Sequence, residues 1–292
     1  MDFDSSYIES LTDDWLEYIH KKTKEQERII LENKKFFVPY IGLNVKIIKM
    51  IFLIAEEFAL HSNAKYLAIH LYEKYMNRRI CEVSKGLQKS GSSETLWEQE
   101  QRKMCSEGKL RLLSCIQLAS KMDSNEKSLG ICDVQIALQK IDSNREYSKR
   151  TIFQSEIYVY KAVEFEMPQC TPKDCVDVLL AATGLRNTPG ILEASKRLVD
   201  LSYLCHEELY SYLKMMAEDN FPKTLYDKKS VMVIESNALF LGASIALSSV
   251  FFVNLDRTDS KELLKRMATL VGMKDVDIWD MANLLFSLAV QE

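Results

Sequence analysis

Turn punctuation is scarce in this chain: nine Gly and five Pro are spread over 292 residues, and no strand-turn-strand rhythm separates them. Long stretches rich in Leu, Ile, Ala, Glu and Lys fill the intervals, and that combination predicts an all-α protein. Hydrophobic residues make up 47% of the sequence, ample for packed cores, and the length suits two domains of ordinary size. The longest uncharged apolar stretch, Ala238 to Val253, has sixteen residues and includes Gly242 and three serines. A membrane-spanning helix needs about 20, so this stretch is expected to be a buried core helix, with no membrane partner.

A formal net charge of -4 argues against a generic nucleic-acid binder, whose footprint is basic. Lys21, Lys22, Lys24 and Arg28 cluster, but Glu25 and Glu27 dilute them. Seven Cys is an odd number at irregular spacing, mostly within apolar helical runs, which speaks for a reducing compartment and against a disulfide framework. Met1-Asp2-Phe3-Asp4 has neither the basic start nor the apolar segment of a secretory signal. His206 precedes Glu207 and Glu208 but has no second His at zinc-protease spacing, and Cys170 and Cys175 have no second pair to complete a zinc site. No Gly-rich phosphate loop, nucleophile elbow or paired catalytic carboxylate stands out. The expectation is a non-enzyme without metal or cofactor.

Helix signals divide the chain. A first helix is expected near Thr12, with Asp13 and Asp14 at its positive end and Trp15 and Ile19 docking on the body. After Pro39 and Gly42, the residues Leu43, Ile47, Ile48, Ile51, Phe52, Ala55 and Phe58 recur at helical spacing. Helices are expected over 64–79, 109–122 and 131–140, and another opening near Ser148. The polar stretch 84–106, with Lys-Ser-Gly-Ser-Ser at 89–93, reads as a long mobile, exposed loop with partial helix around Trp97. Thr171-Pro172-Lys173-Asp174 is a strong helix start, with a capping Thr and Pro where its missing N–H costs nothing. Further helices are expected at 172–183, 191–217, 231–253, 260–271 and 275–290. The domain map is 1–42 for an N-terminal helix and linker, 43–170 for a first domain and 171–292 for a second.

Two charges interrupt apolar helical runs. Lys121 ends Leu112 to Lys121, and Glu156 sits inside Ile152 to Tyr160. A charge on a helix that is otherwise buried needs a partner or an interface, so the pair suggests a surface that meets another molecule. A plainer reading has Lys121 snorkelling from its helix end and Glu156 pairing with Lys149 or Lys161.

The segment Leu110-Arg111-Leu112-Leu113-Ser114-Cys115-Ile116-Gln117-Leu118-Ala119-Ser120-Lys121 resembles the central helix of a cyclin box, with its Leu-Ala-x-Lys ending. Ser155-Glu156, Thr171-Pro172 and Leu201-Ser202-Tyr203-Leu204-Cys205-His206-Glu207 support the likeness, which runs from about 43 to 255. The resemblance implies a cyclin fold of two five-helix boxes preceded by an N-terminal helix. It also implies a cyclin-dependent kinase as partner, with Lys121 and Glu156 binding main-chain atoms around the kinase's movable helix; a cation satisfies carbonyls and an anion satisfies N–H groups. Among cyclins the likeness is to a meiotic crossover factor. That implies recombination proteins as further partners and a nuclear, chromosome-associated location in meiotic cells, with the cytoplasm as a second location. Two departures stand out. Cyclins carry Met-Arg-x-x-Leu-Val-Asp-Trp on the first box helix, whereas Leu43, Asn44, Ile47, Ile48, Lys49 and Met50 fall on those positions here, which leaves at most a degenerate apolar groove of Leu43, Ile47 and Met50. After Lys121 the usual acidic pair is replaced by Met122-Asp123-Ser124. The alternative reading is a kinase-independent scaffold for recombination proteins; a DNA-binding use of paired cyclin folds is disfavoured by the acidic balance.

Overall fold

The computed structural model describes residues 8–32, 43–90, 94–123, 127–168, 170–220, 228–253 and 257–291. Among them there are thirteen α-helices, one 3-10 turn and no strand. They gather into two compact units, Phe36–Gln169 and a second formed by Met1–Lys35 with Cys170–Glu292.

The described helices of the unit Phe36–Gln169 are α2 (Val45–Glu57), α3 (Ser62–Ser90), α4 (Glu94–Met122), α5 (Ile131–Ile141) and α6 (Lys149–Ala162). Its centre is α4, which packs against α3, α5 and α6. From Leu112 to Ala119 nearly every α4 side chain is buried, including the polar Ser114 and Gln117, as an all-round apolar helix requires. Caps fix where the helices begin. Asn44 accepts from Lys46 N–H ahead of α2, and Ser148 accepts from Thr151 N–H ahead of α6. Ser120 Oγ donates to Gln117 C=O and accepts from Leu129 N–H at 2.9 Å, tying the end of α4 to the approach to α5.

The stretch 84–106, expected as a loop, is helical on both sides of 91–93, with α3 reaching Ser90 and α4 starting at Glu94; residues 91–93 lie outside the described ones. Its Glu, Gln, Arg and Lys are good helix formers without needing an apolar face. Glu98 and Arg102 add an i,i+4 pair, while Arg79 of α3 reaches both Glu82 and Glu100, joining the two helices.

A buried polar stripe on α3 gives this unit a pH signature. Glu73 is buried, and its Oε1 has no hydrogen-bond partner among the described residues. Burial pushes its carboxyl well above the ordinary range, and burial lowers His70 to about 4. The two approach to 3.9 Å, yet burial drives both toward the neutral form, so they meet as neutral groups rather than as an ion pair. The signs oppose. The native state keeps the Glu73 proton that an unfolded carboxyl releases above about 4.3, so stability falls as pH rises from there toward the native value. Native His70 refuses the proton that an unfolded histidine takes below about 6.5, so stability falls as pH drops from there to about 4. Glu73→Gln removes only the first effect. Its melting temperature should gain on the parent as pH rises above about 5, and a difference independent of pH would show that Glu73 is not held protonated.

The other unit contains α1 (Ile8–Glu32), α7 (Pro172–Ala182), the 3-10 turn Leu185–Asn187, α8 (Ile191–Leu204), α9 (His206–Asn220), α10 (Lys228–Glu235), α11 (Ala238–Phe252), α12 (Arg257–Val271) and α13 (Asp275–Gln291). The uncharged stretch is its centre: α11 packs on α1, α7, α8, α12 and α13 and is buried from Leu239 through Val250. No helix among the described residues is long and apolar enough to cross a membrane. The first helix opens upstream of Thr12, whose side chain is buried within it. It docks through Leu16, Ile19 and Ile30, and His20 Nε2 donates to Leu270 C=O at 2.7 Å. Two expected long helices are each interrupted. The chain breaks at Cys205 between α8 and α9, and Asn237 ends the approach from α10 by capping Phe240 N–H of α11. Thr171 caps α7 as its sequence predicts: Asp174 N–H donates to its hydroxyl, and Thr171 N–H and Oγ1 both donate to the Asp174 carboxylate, with Pro172 first in the helix.

Candidate functional site

The register between α4 and α6 is set by a small polar network. Ser114 and Ser155, one on each helix, share a hydrogen bond of 2.7 Å in the core. Arg111 donates to Ser155 Oγ at 2.9 Å and to Glu107 at 2.8 Å, and its guanidinium lies 4.2 Å from the Tyr158 ring centre. The far end of α6 is anchored to α3 by Arg78 on Glu164 and Lys74 on Glu166. Glu164 and Phe165 both take positive φ there, 58° and 62°, a conformation costly for non-glycine residues. Phe165 N–H donates to Tyr160 C=O, and the two rings meet edge to face, so the reversal is held by its own contacts.

On this frame Lys121 and Glu156 come together. Lys121 lies in the last turn of α4, Glu156 lies mid-way along α6, and Nζ is 2.5 Å from Oε1. The exposures are unequal: the Lys121 side chain is 45% accessible and that of Glu156 9%. The plainer partners considered for Glu156, Lys149 and Lys161, are not the ones it meets. Oε2 of Glu156 is buried without a hydrogen bond among the described residues, as are both amide atoms of Gln117 one turn before Lys121. The carboxylate thus has acceptor capacity left over.

Helix geometry explains why Glu156 is a boundary residue. At 100° per residue, Ile152, Ser155 and Val159 fall to one side of it and are buried. Phe153, Ile157 and Tyr160 fall to the other, where Phe153 is 51% and Ile157 38% exposed. At the adjoining end of α4, Met122 is 57% exposed. The pair is therefore bordered by uncovered apolar side chains. Asp123, two residues after Lys121, accepts from His61 Nδ1 at 2.6 Å.

The other sequence-derived candidates are placed less tellingly. Ile47 and Met50 lie on one side of α2 with Leu43 just before it, all half-buried. His206 packs against Tyr210 with the rings tilted by 39° and 4.6 Å between their centres. No cluster of three or more His, Cys, Asp or Glu able to hold a metal exists among the described residues. The Arg111–Ser114–Ser155 network escaped the sequence reading. Its only signal was small polar residues inside apolar runs, which carries no information about a partner 41 positions away.

No protein-family model matches the chain. Cyclin N-terminal domain-containing protein 1 of Mus musculus is 28% identical over 218 residues, covering 72% of this chain and 64% of that protein. The Homo sapiens protein of the same name is 28% identical over 221 residues, covering 72% of this chain and 65% of its own length. The chain thus matches a little under two thirds of each relative. It is all-helical among its described residues and similar over most of its length to the proteins called cyclin N-terminal domain-containing protein 1.

Proposed function

We propose that this chain is a cyclin-like regulatory or adaptor protein, not an enzyme, that docks a cyclin-dependent kinase through the surface around Lys121 and Glu156 and promotes meiotic crossover maturation. The observation that carries the docking reading is the pairing of half-exposed Lys121 with the largely buried Glu156, bordered by exposed Phe153, Ile157 and Met122. Apolar side chains supply contact area, while the two charges, on neighbouring helices, supply orientation. In the free protein each charge satisfies the other. On docking, Lys121 swings outward to donate to main-chain carbonyls of the kinase, and the Glu156 carboxylate, with Oε2 in reserve, accepts N–H groups. The meiotic assignment, with recombination proteins as partners in the nucleus, rests on the likeness of residues 110–121; the name of the relatives supports the cyclin-like reading alone. The arrangement of the helices as paired five-helix boxes belongs to the same proposal.

A scaffold without kinase is the second reading. It is favoured by the first box helix, where the Arg, Asp and Trp of the cyclin substrate pocket are missing and only Leu43, Ile47 and Met50 remain as a half-buried apolar row. Affinity purification of the tagged full chain from meiotic tissue, with identification of bound proteins, separates the two. A cyclin-dependent kinase is expected among them. Recombination proteins recovered in stoichiometric amount with no kinase would replace the first reading by the second.

A further inference from the structure

Cys170 and Cys175 flank the cap of α7: Cys170 precedes the capping Thr171 and Cys175 is the fourth residue of the helix. These are the positions at which a helix start is commonly stapled by two apolar side chains. Here the staple consists of two thiols with Sγ atoms 3.4 Å apart, both free. Cys175 is buried and pressed against α11, where a Cβ built on Gly242 would stand 2.7 Å from Cys175 Cβ. Cys170 is half-buried and so within reach of small solutes. One sulfur is held by the core and its partner can rotate onto it.

We propose that Cys170 and Cys175 form a reversible disulfide under oxidising conditions, turning the staple of α7 into a covalent one, with a hydroperoxide as the oxidant. The capping box holds both residues in register before any oxidation, and the two sulfurs have only to close from 3.4 Å to about 2.05 Å. In the first step the Cys170 thiolate attacks a peroxide oxygen; the O–O bond breaks, water leaves after proton uptake, and Cys170 becomes a sulfenic acid. In the second, the Cys175 sulfur attacks the Cys170 sulfur and loses its proton as the S–O bond breaks, releasing a second water. Two thiols are oxidised and one hydroperoxide is reduced when hydrogen peroxide is used. The hydrogen bond to Cys170, with burial, pushes the Cys175 thiol well up, which leaves the first attack to the more accessible Cys170.

The test uses the purified full chain, treated with equimolar hydrogen peroxide or equilibrated in glutathione redox buffers, then alkylated and digested with trypsin. The expected product joins the peptides 162–173 and 174–186 and is two hydrogens lighter than their sum. Two of the seven thiols should become unreactive together, dithiothreitol should restore both, and the oxidised protein should melt a few degrees higher with unchanged helicity. Cys170→Ser, a change at the more accessible partner, should abolish the joined peptide and the shift in melting while leaving the reduced-state melting close to that of the parent. Conversion of Cys170 to a sulfinic acid or a glutathione adduct while Cys175 stays alkylatable on unfolding, or pairing of Cys170 with any other cysteine, would overturn the proposal.

Discussion

Lys121→Ala and Glu156→Ala should each weaken capture of the cyclin-dependent kinase by about 2 to 5 kcal/mol, roughly 30-fold to several thousand-fold in affinity, because each strands a charge or a main-chain group desolvated at the interface. Their effects on folding should differ. Removing Lys121 leaves the largely buried Glu156 carboxylate without its cation, and this costs about 1 to 2 kcal/mol after allowance for the solvent that reaches the pair. Removing Glu156 leaves a half-exposed lysine that hydrates in place at smaller cost. Glu156→Gln keeps the shape and removes the charge, so it should fold like the parent and still bind poorly. Titrating a tagged kinase with each variant, alongside thermal melting, checks both halves. Unchanged capture by all three variants would remove the kinase-docking role, and a collapse in melting for Glu156→Gln would make the pair an element of stability rather than of recognition.

Both members of this pair were legible in the sequence because a charge inside an apolar helical run is conspicuous. Their mutual contact was not, since nothing local says that α4 and α6 present those residues to each other. Local signals otherwise read truly where a single chemistry fixes them. Thr171-Pro172 caps α7 and Ser148 caps α6, and the uncharged stretch from Ala238 became the core helix α11. Reading failed where composition stood in for a mechanism. The serines and charges of 84–106 suggested a loop, yet Glu, Gln, Lys and Arg favour a helix irrespective of burial, and Arg79 of α3, paired with Glu82 on its own helix, also reaches Glu100 of α4. The break at Asn237 was missed because a capping side chain inside an apolar run looks like one polar residue among many. Least legible was the grouping of Met1–Lys35 with Cys170–Glu292: Leu16 and Ile19 mark an apolar face, but not which helices cover it.

Gly242→Ala should destabilise the unit containing α11 by about 1 to 3 kcal/mol, the usual range for overpacking a core. By propensity alone the sign would be reversed, because alanine is favoured over glycine inside a helix by about 1 kcal/mol. Space decides otherwise. An added Cβ at 242 would lie 2.7 Å from Cys175 Cβ and 3.3 Å from both the Cys175 carbonyl carbon and the Val176 nitrogen, so the obstacle is the α7 backbone and an atom fixed to it. Neither can rotate away, and α7 cannot retreat without disturbing the cap at Thr171. Gly86 supplies the control: it lies within α3 with nothing within 4 Å of an added Cβ, so Gly86→Ala should stabilise by roughly 0.5 to 1 kcal/mol. At about 2 to 4 °C per kcal/mol for a domain of this size, thermal melting of the two variants should move in opposite directions from the parent. A Gly242→Ala protein melting at or above the parent would mean that α7 and α11 are not in backbone-to-backbone contact. Gly242→Leu should carry the effect further, because a branched side chain at 242 has to part the two helices and open the core that α11 forms from Leu239 to Val250.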